Sequence, residues 1–179
     1  FNVLNALAVI AILHYRGYAL DSIIAQLEDI DHVDGRLTVI DAGQDFSVYV
    51  DFGHAPDSME KVFTFVRSTL APENKLICVF GAAGARDHLK RPIMGKVATS
   101  LCDHVIITEH DNRNEAVETI TQDIISGVVG DNYEFVPIRT SAIEKAIKMA
   151  QPGDAVVLIG KGEERFIYRE FGKEPWMGD

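Results

Sequence analysis

The chain has 179 residues, with 27 acidic side chains against 17 basic ones and a net charge of −10, which argues against a surface for the phosphates of a nucleic acid. At 47% hydrophobic and 25% charged residues it has a globular composition, and the length suits one good core, or one domain with a helical appendage. The opening apolar run, Val3 to Leu13, is too short to span a membrane. Cys78 in an apolar run and Cys102 near a helix end read as reduced, buried thiols of a cytoplasmic protein rather than as a disulfide or metal site.

In chain order, Asn2 to Arg16 is rich in Ala, Leu and Ile and stopped by Gly17, the pattern of a helix. Phe1 falls inside that pattern without a methionine, which reads as the cut end of a longer protein. Asp21 caps a second predicted helix, Ser22 to Glu28, and polar Asp29 to Gly35 reads as a linker that divides the chain into 1–34 and 35–179. Beyond Arg36 strands and helices alternate. Leu37–Ala42 and Phe46–Asp51 form a hairpin around Gly43, and a helix capped by Asp57 and Glu60 runs to about Leu70. Strand Lys75–Phe80, helix Pro92–Cys102, strand His104–Thr108, helix Glu115–Ser126 and strand Tyr133–Ile138 follow. A helix capped by Ser141 and Glu144 reaches Met149; strand Ala155–Ile159 and a short returning strand, Arg165–Tyr168, end the series. The order predicts an α/β fold: a Rossmann-like, mostly parallel sheet with helices on both faces, preceded by a short helical segment.

The chemistry gathers where strands end. Gly81 and Gly84 let the backbone turn sharply, Arg86 and Asp87 project from that turn, and the helix start beyond it makes this edge a candidate anion site. Other strands run out into Asp51 and His54, into Asp111, Asn112 and Arg113, and into Gly160, Lys161 and Glu164. In an open α/β sheet the crevice lies at this edge, and a mixed set of guanidinium, ammonium and carboxylate groups suits a zwitterion. Asp51 and His54 read equally as strand-ending caps or as ligands. Lys90 and Arg91 read as a solvated helix start, and His14 and His32 as surface or boundary residues. No G-x-x-x-x-G-K-[ST] phosphate loop, dinucleotide fingerprint or metal motif occurs, so the chain carries half a site.

Taken together, Phe1 to Ala8, Gly35-Arg36, Val50 to Asp57, Gly81 to Asp87 with Lys90 to Gly95, and Gly160-Lys161-Gly162 resemble the Mur ligases, above all the MurE type. That type adds the third amino acid to a UDP-N-acetylmuramoyl dipeptide of peptidoglycan. The resemblance implies that 1–34 is the tail of a central ATPase domain with its linker, and that 35–179 is the C-terminal ligase domain. It implies ATP and Mg2+ in the full-length enzyme, with the dipeptide and a free amino acid as substrates. The chemistry implied is acyl-phosphate formation followed by attack of the incoming amine. Matched positions make Asn2, Arg36, Asp51 and His54 the nucleotide-facing residues. Arg86, Asp111, Asn112, Arg113, Gly160 and Glu164 match the amino-acid pocket, while the metal ligands fall in the absent domain. The chain departs from the family's D-N-P-R at His110-Asp111-Asn112-Arg113 and from G-K-G-H-E at Gly160 to Glu164, where Glu163 adds negative charge to the pocket. Diaminopimelate and lysine both stay open as the added amino acid. A polyglutamate- or cyanophycin-type ligase, or a non-catalytic domain that binds anions or amino acids, is the alternative.

Overall fold

The structure, a computed structural model, describes residues 2–30 and 35–179. The chain divides into two compact units, Phe1–Val33 and Asp34–Asp179. His32, Asp34 and most of the expected linker lie outside the described residues, as does the side chain of Asn2.

The first unit is a helical pair, α1 (Asn2–Tyr15) and α2 (Leu20–Glu28). Val3, Leu4, Leu7 and Ile12 of α1 are all more than half exposed. Ala19, not Asp21, occupies the N-cap of α2, and Asp21 falls inside its first turn, where a carboxylate still favours the helix dipole.

In the second unit the elements are β1 (Thr38–Ile40), β2 (Ser47–Asp51), α3 (Pro56–Thr69), β3 (Leu76–Phe80), α4 (Lys90–Leu101), β4 (His104–Ile107), α5 (Val117–Ile125), β5 (Tyr133–Phe135), α6 (Arg139–Met149), β6 (Ala155–Ile159), β7 (Phe166–Arg169) and β8 (Gly172–Pro175). Six strands form one sheet in the order β1-β2-β6-β3-β4-β5, parallel except for β1. Because side chains alternate across a strand, Cys78 and Phe80 of β3 pack with Met59, Phe63, Met94 and Ile124 of α3, α4 and α5 on one face. Ile77 and Val79 pack with Ala142 and Ala146 of α6 on the other. Every residue of β3 and β6 is buried, which is why both read as unbroken apolar runs. Cys78 and Cys102 are buried free thiols.

In this unit both predicted capping boxes and the placing of the last strand differ from the sequence reading. Helix α3 starts at Pro56 with Ala55 as N-cap, and Ser58 Oγ closes the turn by accepting the Ala55 N–H at 3.2 Å; Asp57 and Glu60 do not cap it. Helix α6 starts at Arg139, whose N–H donates to the Glu109 carboxylate at 3.1 Å, so a side chain from the β4 exit takes the place of the expected Ser141–Glu144 box. The last strand does not rejoin the sheet: β7 pairs antiparallel with β8 as a separate hairpin.

Candidate functional site

The registers put the strand exits in one row. Asp51 of β2 lies beside Ile159 of β6, Ile159 beside Phe80 of β3, and Phe80 beside Ile107 of β4. The four loops that leave this row enclose a hollow of about 540 Å³, lined by Arg86, Lys90 and Arg113, by Asp87, Asp111 and Glu164, and by Phe52, His54, Ala83, His110, Gly160 and Tyr168.

Gly84 serves the approach of two loops. A Cβ there would stand 2.1 Å from the Asn112 carbonyl oxygen, and its N–H donates to the Asp111 carbonyl at 2.8 Å. Beneath this contact Arg91, 1% exposed, donates to Glu115 at 2.6 and 2.7 Å, to Asp123 at 2.8 Å and to the Ala83 carbonyl at 3.0 Å. Arg91 is therefore a buried bracket between the glycine turn and the segment before α5, not the solvated residue its place beside Lys90 suggests. Lys90 also has a task inside the protein: its ammonium donates to the His54 carbonyl at 2.7 Å, and burial lowers its pKa.

On the opposite wall Asp111 Oδ1 accepts from Lys161 Nζ at 2.9 Å and from the Tyr168 N–H at 3.0 Å. Burial opposes the Asp111 charge, but these two donors outweigh it and hold the carboxyl below its ordinary value. Arg113 sits at φ +51, with its N–H on the Tyr168 carbonyl at 3.0 Å. Its guanidinium lies 5.2 Å from the centre of the Tyr168 ring and donates to the Gly84 carbonyl at 2.9 Å. His110 is buried; desolvation first, then the charge of Arg139, pushes it down to about 4, so it is neutral at neutral pH. The Asp111 N–H donates to His110 Nδ1 at 2.6 Å, which leaves the proton on Nε2.

The hollow thus gathers His54, Arg86, Asp111, Arg113, Gly160 and Glu164 among the expected site residues. The other described ones stand outside its lining. Asn112 accepts from Arg169 at 2.8 Å and donates to the Glu115 carbonyl. Asp51, 3% exposed, accepts the N–H groups of Leu37 at 2.8 Å and Gly53 at 2.6 Å. Arg36 is exposed with its guanidinium 5.7 Å from the centre of the Phe52 ring, against which His54 packs edge-on at 5.2 Å. Glu163 is exposed and does not line the hollow, so it adds no charge there. Lys161 is wholly buried and faces the carboxylates rather than the crevice. Tyr168 escaped the sequence reading, since nothing in Phe166 to Pro175 announces a hairpin folded over the β4 exit.

Among the described residues no helix is long and apolar enough to cross a membrane, and no three His, Cys, Asp or Glu side chains converge as a metal site. A family model described as the Mur ligase glutamate ligase domain matches residues 35–162. The chain is 41% identical over 182 residues to a UDP-N-acetylmuramyl-tripeptide synthetase of Roseiflexus sp. (strain RS-1), covering 98% of this chain and 35% of that one. It is 40% identical over 174 residues to the UDP-N-acetylmuramoyl-L-alanyl-D-glutamate–2,6-diaminopimelate ligase of Bacillus cereus, covering 97% of this chain and 35% of that one. A solved structure of a ligase of the same name superimposes with a TM-score of 0.75 at 29% identity, over 98% of this chain and 36% of that one. The chain spans about a third of the length of these relatives.

Proposed function

The chain belongs to the Mur ligase family, and from that membership we propose that it is the amino-acid-receiving C-terminal third of an ADP-forming amide ligase. The reaction is addition of diaminopimelate to UDP-N-acetylmuramoyl-L-alanyl-D-glutamate, in the cytoplasmic stage of peptidoglycan synthesis. In this reading 1–34 is the tail of the ATPase domain with its linker, and 35–179 is the ligase domain.

The observation that carries the proposal is the set of charges around one hollow: Arg86 and Arg113 with Asp111 and Glu164. Guanidinium groups take a carboxylate and carboxylates take an ammonium, so the lining suits a zwitterionic end. An amine gripped by two carboxylates stays protonated and cannot attack an acyl group. The reacting amine must therefore be a second one, outside the grip, and that favours a diamino acid over glutamate. Two guanidinium groups in the lining, with Glu163 outside it, favour a carboxylate on the held end and so diaminopimelate over lysine. The diaminopimelate ligase of Bacillus cereus at 40% identity points the same way.

ATP with magnesium would supply activation of the dipeptide carboxylate. The described residues offer neither a phosphate loop nor a magnesium site, so they fit only the rim of a nucleotide site. There exposed Arg36 and His54, packed on half-buried Phe52, suit an aromatic base or a phosphate edge. Asp51 acts on that rim by fixing the backbone of Leu37 and Gly53. What 35–179 contributes to the reaction is binding and orientation of the amine.

The test is amino-acid-dependent phosphate release by the intact enzyme, comparing diaminopimelate, lysine and glutamate. Diaminopimelate should give the highest kcat/KM; a preference for glutamate, or release that ignores the amino acid, would reject the reading.

A further inference from the structure

Lys161 is 0% exposed in the loop from which Gly160 and Glu164 line the hollow, and no part of the ligase reading above gives it a role. It follows Gly160 at φ +113 and precedes Gly162 at φ +53, left-handed positions open to glycine, so the chain turns away on both sides while the lysine points inward. Its ammonium meets Asp111 Oδ1 at 2.9 Å and Glu164 Oε2, with the Phe166 ring centre 5.8 Å away. Asp111 comes from the β4 exit and Glu164 from the β6 exit, so one cation joins two loops of the hollow.

Within each carboxylate the contact is one-sided. Asp111 Oδ1 takes both Lys161 and the Tyr168 N–H, and Glu164 Oε2 takes Lys161. Among the described residues Asp111 Oδ2 and Glu164 Oε1 accept no hydrogen bond, and both residues line the hollow. Two carboxylates sharing a site repel and turn apart unless a cation lies between them. One buried ammonium between two carboxylates also leaves the cluster with one net negative charge, which an incoming ammonium can neutralise.

We propose that Lys161 is a positioning residue of the amino-acid pocket: it pins one oxygen of Asp111 and one of Glu164 so that the remaining two are presented together to the ammonium of the bound amino acid. This rests on the ligase reading, from which its test must be separable. Lys161 touches neither substrate nor reacting atoms, so its loss should act on amino-acid binding alone.

The experiment uses the full-length enzyme with Lys161→Met, which fills the space without charge, and Lys161→Gln, which keeps an amide donor. KM is measured separately for the amino acid, ATP and the UDP dipeptide, with thermal unfolding as a check on folding. The expected result is a rise in amino-acid KM of about 30-fold or more for Lys161→Met, as for a broken buried charge pair. A smaller rise is expected for Lys161→Gln, and the other two KM values should stay within about twofold. Equal losses in all three KM values, an unchanged amino-acid KM, or failure of both variants to unfold cooperatively would make Lys161 merely structural and overturn the proposal. A wild-type enzyme that uses no diamino acid would instead defeat the ligase reading itself.

Discussion

Replacing Glu115 by Gln tests whether the crevice is held from below by a buried charge bracket. The Arg91 guanidinium makes two bonds to Glu115, at 2.6 and 2.7 Å, and a third to Asp123 at 2.8 Å; Glu115 also accepts the Ala85 N–H at 3.1 Å. Glu115→Gln keeps the shape and removes the charge, so a guanidinium that is 1% exposed is left with Asp123 as its only anion among the described residues. Breaking a fully buried pair from one side costs about 3–5 kcal/mol. Here the Glu115 side chain is 28% exposed and Asp123 remains, so a loss of about 2 kcal/mol is expected. The Arg91 hydrogen bonds, against a smaller opposing effect of burial, hold the Glu115 carboxyl at about 2 where 4.5 is ordinary. A folded-state value below the unfolded one contributes stability that is complete above the unfolded pKa and is lost as pH falls through the folded one. Urea unfolding of both proteins should therefore differ by a constant amount from neutral pH down to about pH 5, and the gap should close between about pH 4.5 and 2. A difference below about 0.5 kcal/mol at neutral pH, or one that persists undiminished at the acid end, would refute the bracket.

Gly84→Ala would drive a methyl to within 2.1 Å of the Asn112 carbonyl oxygen; a destabilisation of about 1–3 kcal/mol is expected in chemical denaturation, together with a raised amino-acid KM in the full-length enzyme. Arg86 is exposed and makes no hydrogen bond or ion pair among the described residues, so Arg86→Ala should weaken amino-acid use by about 1–2 kcal/mol, below the 2–5 of a desolvated pair; an unchanged amino-acid KM would remove it from the pocket. Cys78 and Cys102, 0% and 5% exposed, should resist a thiol reagent in the folded protein and react only on unfolding. Burial also raises the Cys102 thiol well above its ordinary value, so moderate alkali should not expose it to alkylation.

What the sequence made legible follows from how each feature is stabilised. Strands buried on both faces, such as Leu76–Phe80 and Ala155–Ile159, announce themselves because nothing polar can stand in them. Their end residues mark the crevice for the same reason, since Asp51, Gly81, Thr108 and Gly160 are where that pattern stops. Helix starts were harder to place. Local capping boxes at Asp57–Glu60 and Ser141–Glu144 lost to Ser58 and to Glu109, and Glu109 lies thirty positions before the amide it caps. Strand β7 was legible as Arg165–Tyr168, but its pairing was not, because β8, Gly172–Pro175, is exposed at every position and has no apolar alternation to read. Buried cations were the largest omission. Arg91 beside Lys90 looks like a solvated pair, and only the partners Glu115 and Asp123, 24 and 32 positions away, put it inside.

At His110-Asp111-Asn112-Arg113 the turn is held by contacts that a proline could not make. A proline at position 112 would remove the Asn112 N–H, which here donates to the His110 carbonyl at 3.1 Å. In its place the turn is held by the Arg113 N–H on Tyr168, by the left-handed Arg113 backbone, and by Asn112 Oδ1 on Arg169. Arg169 in turn pairs with Glu109 at 2.6 Å, the same carboxylate that caps α6. Hairpin β7–β8 is therefore the scaffold for the β4 exit, and Tyr168 supports Arg113 through its ring and Asp111 through its N–H. Rigidity at this loop therefore comes from a neighbouring hairpin rather than from a proline at 112, and Asp111 and Arg113 both line the hollow.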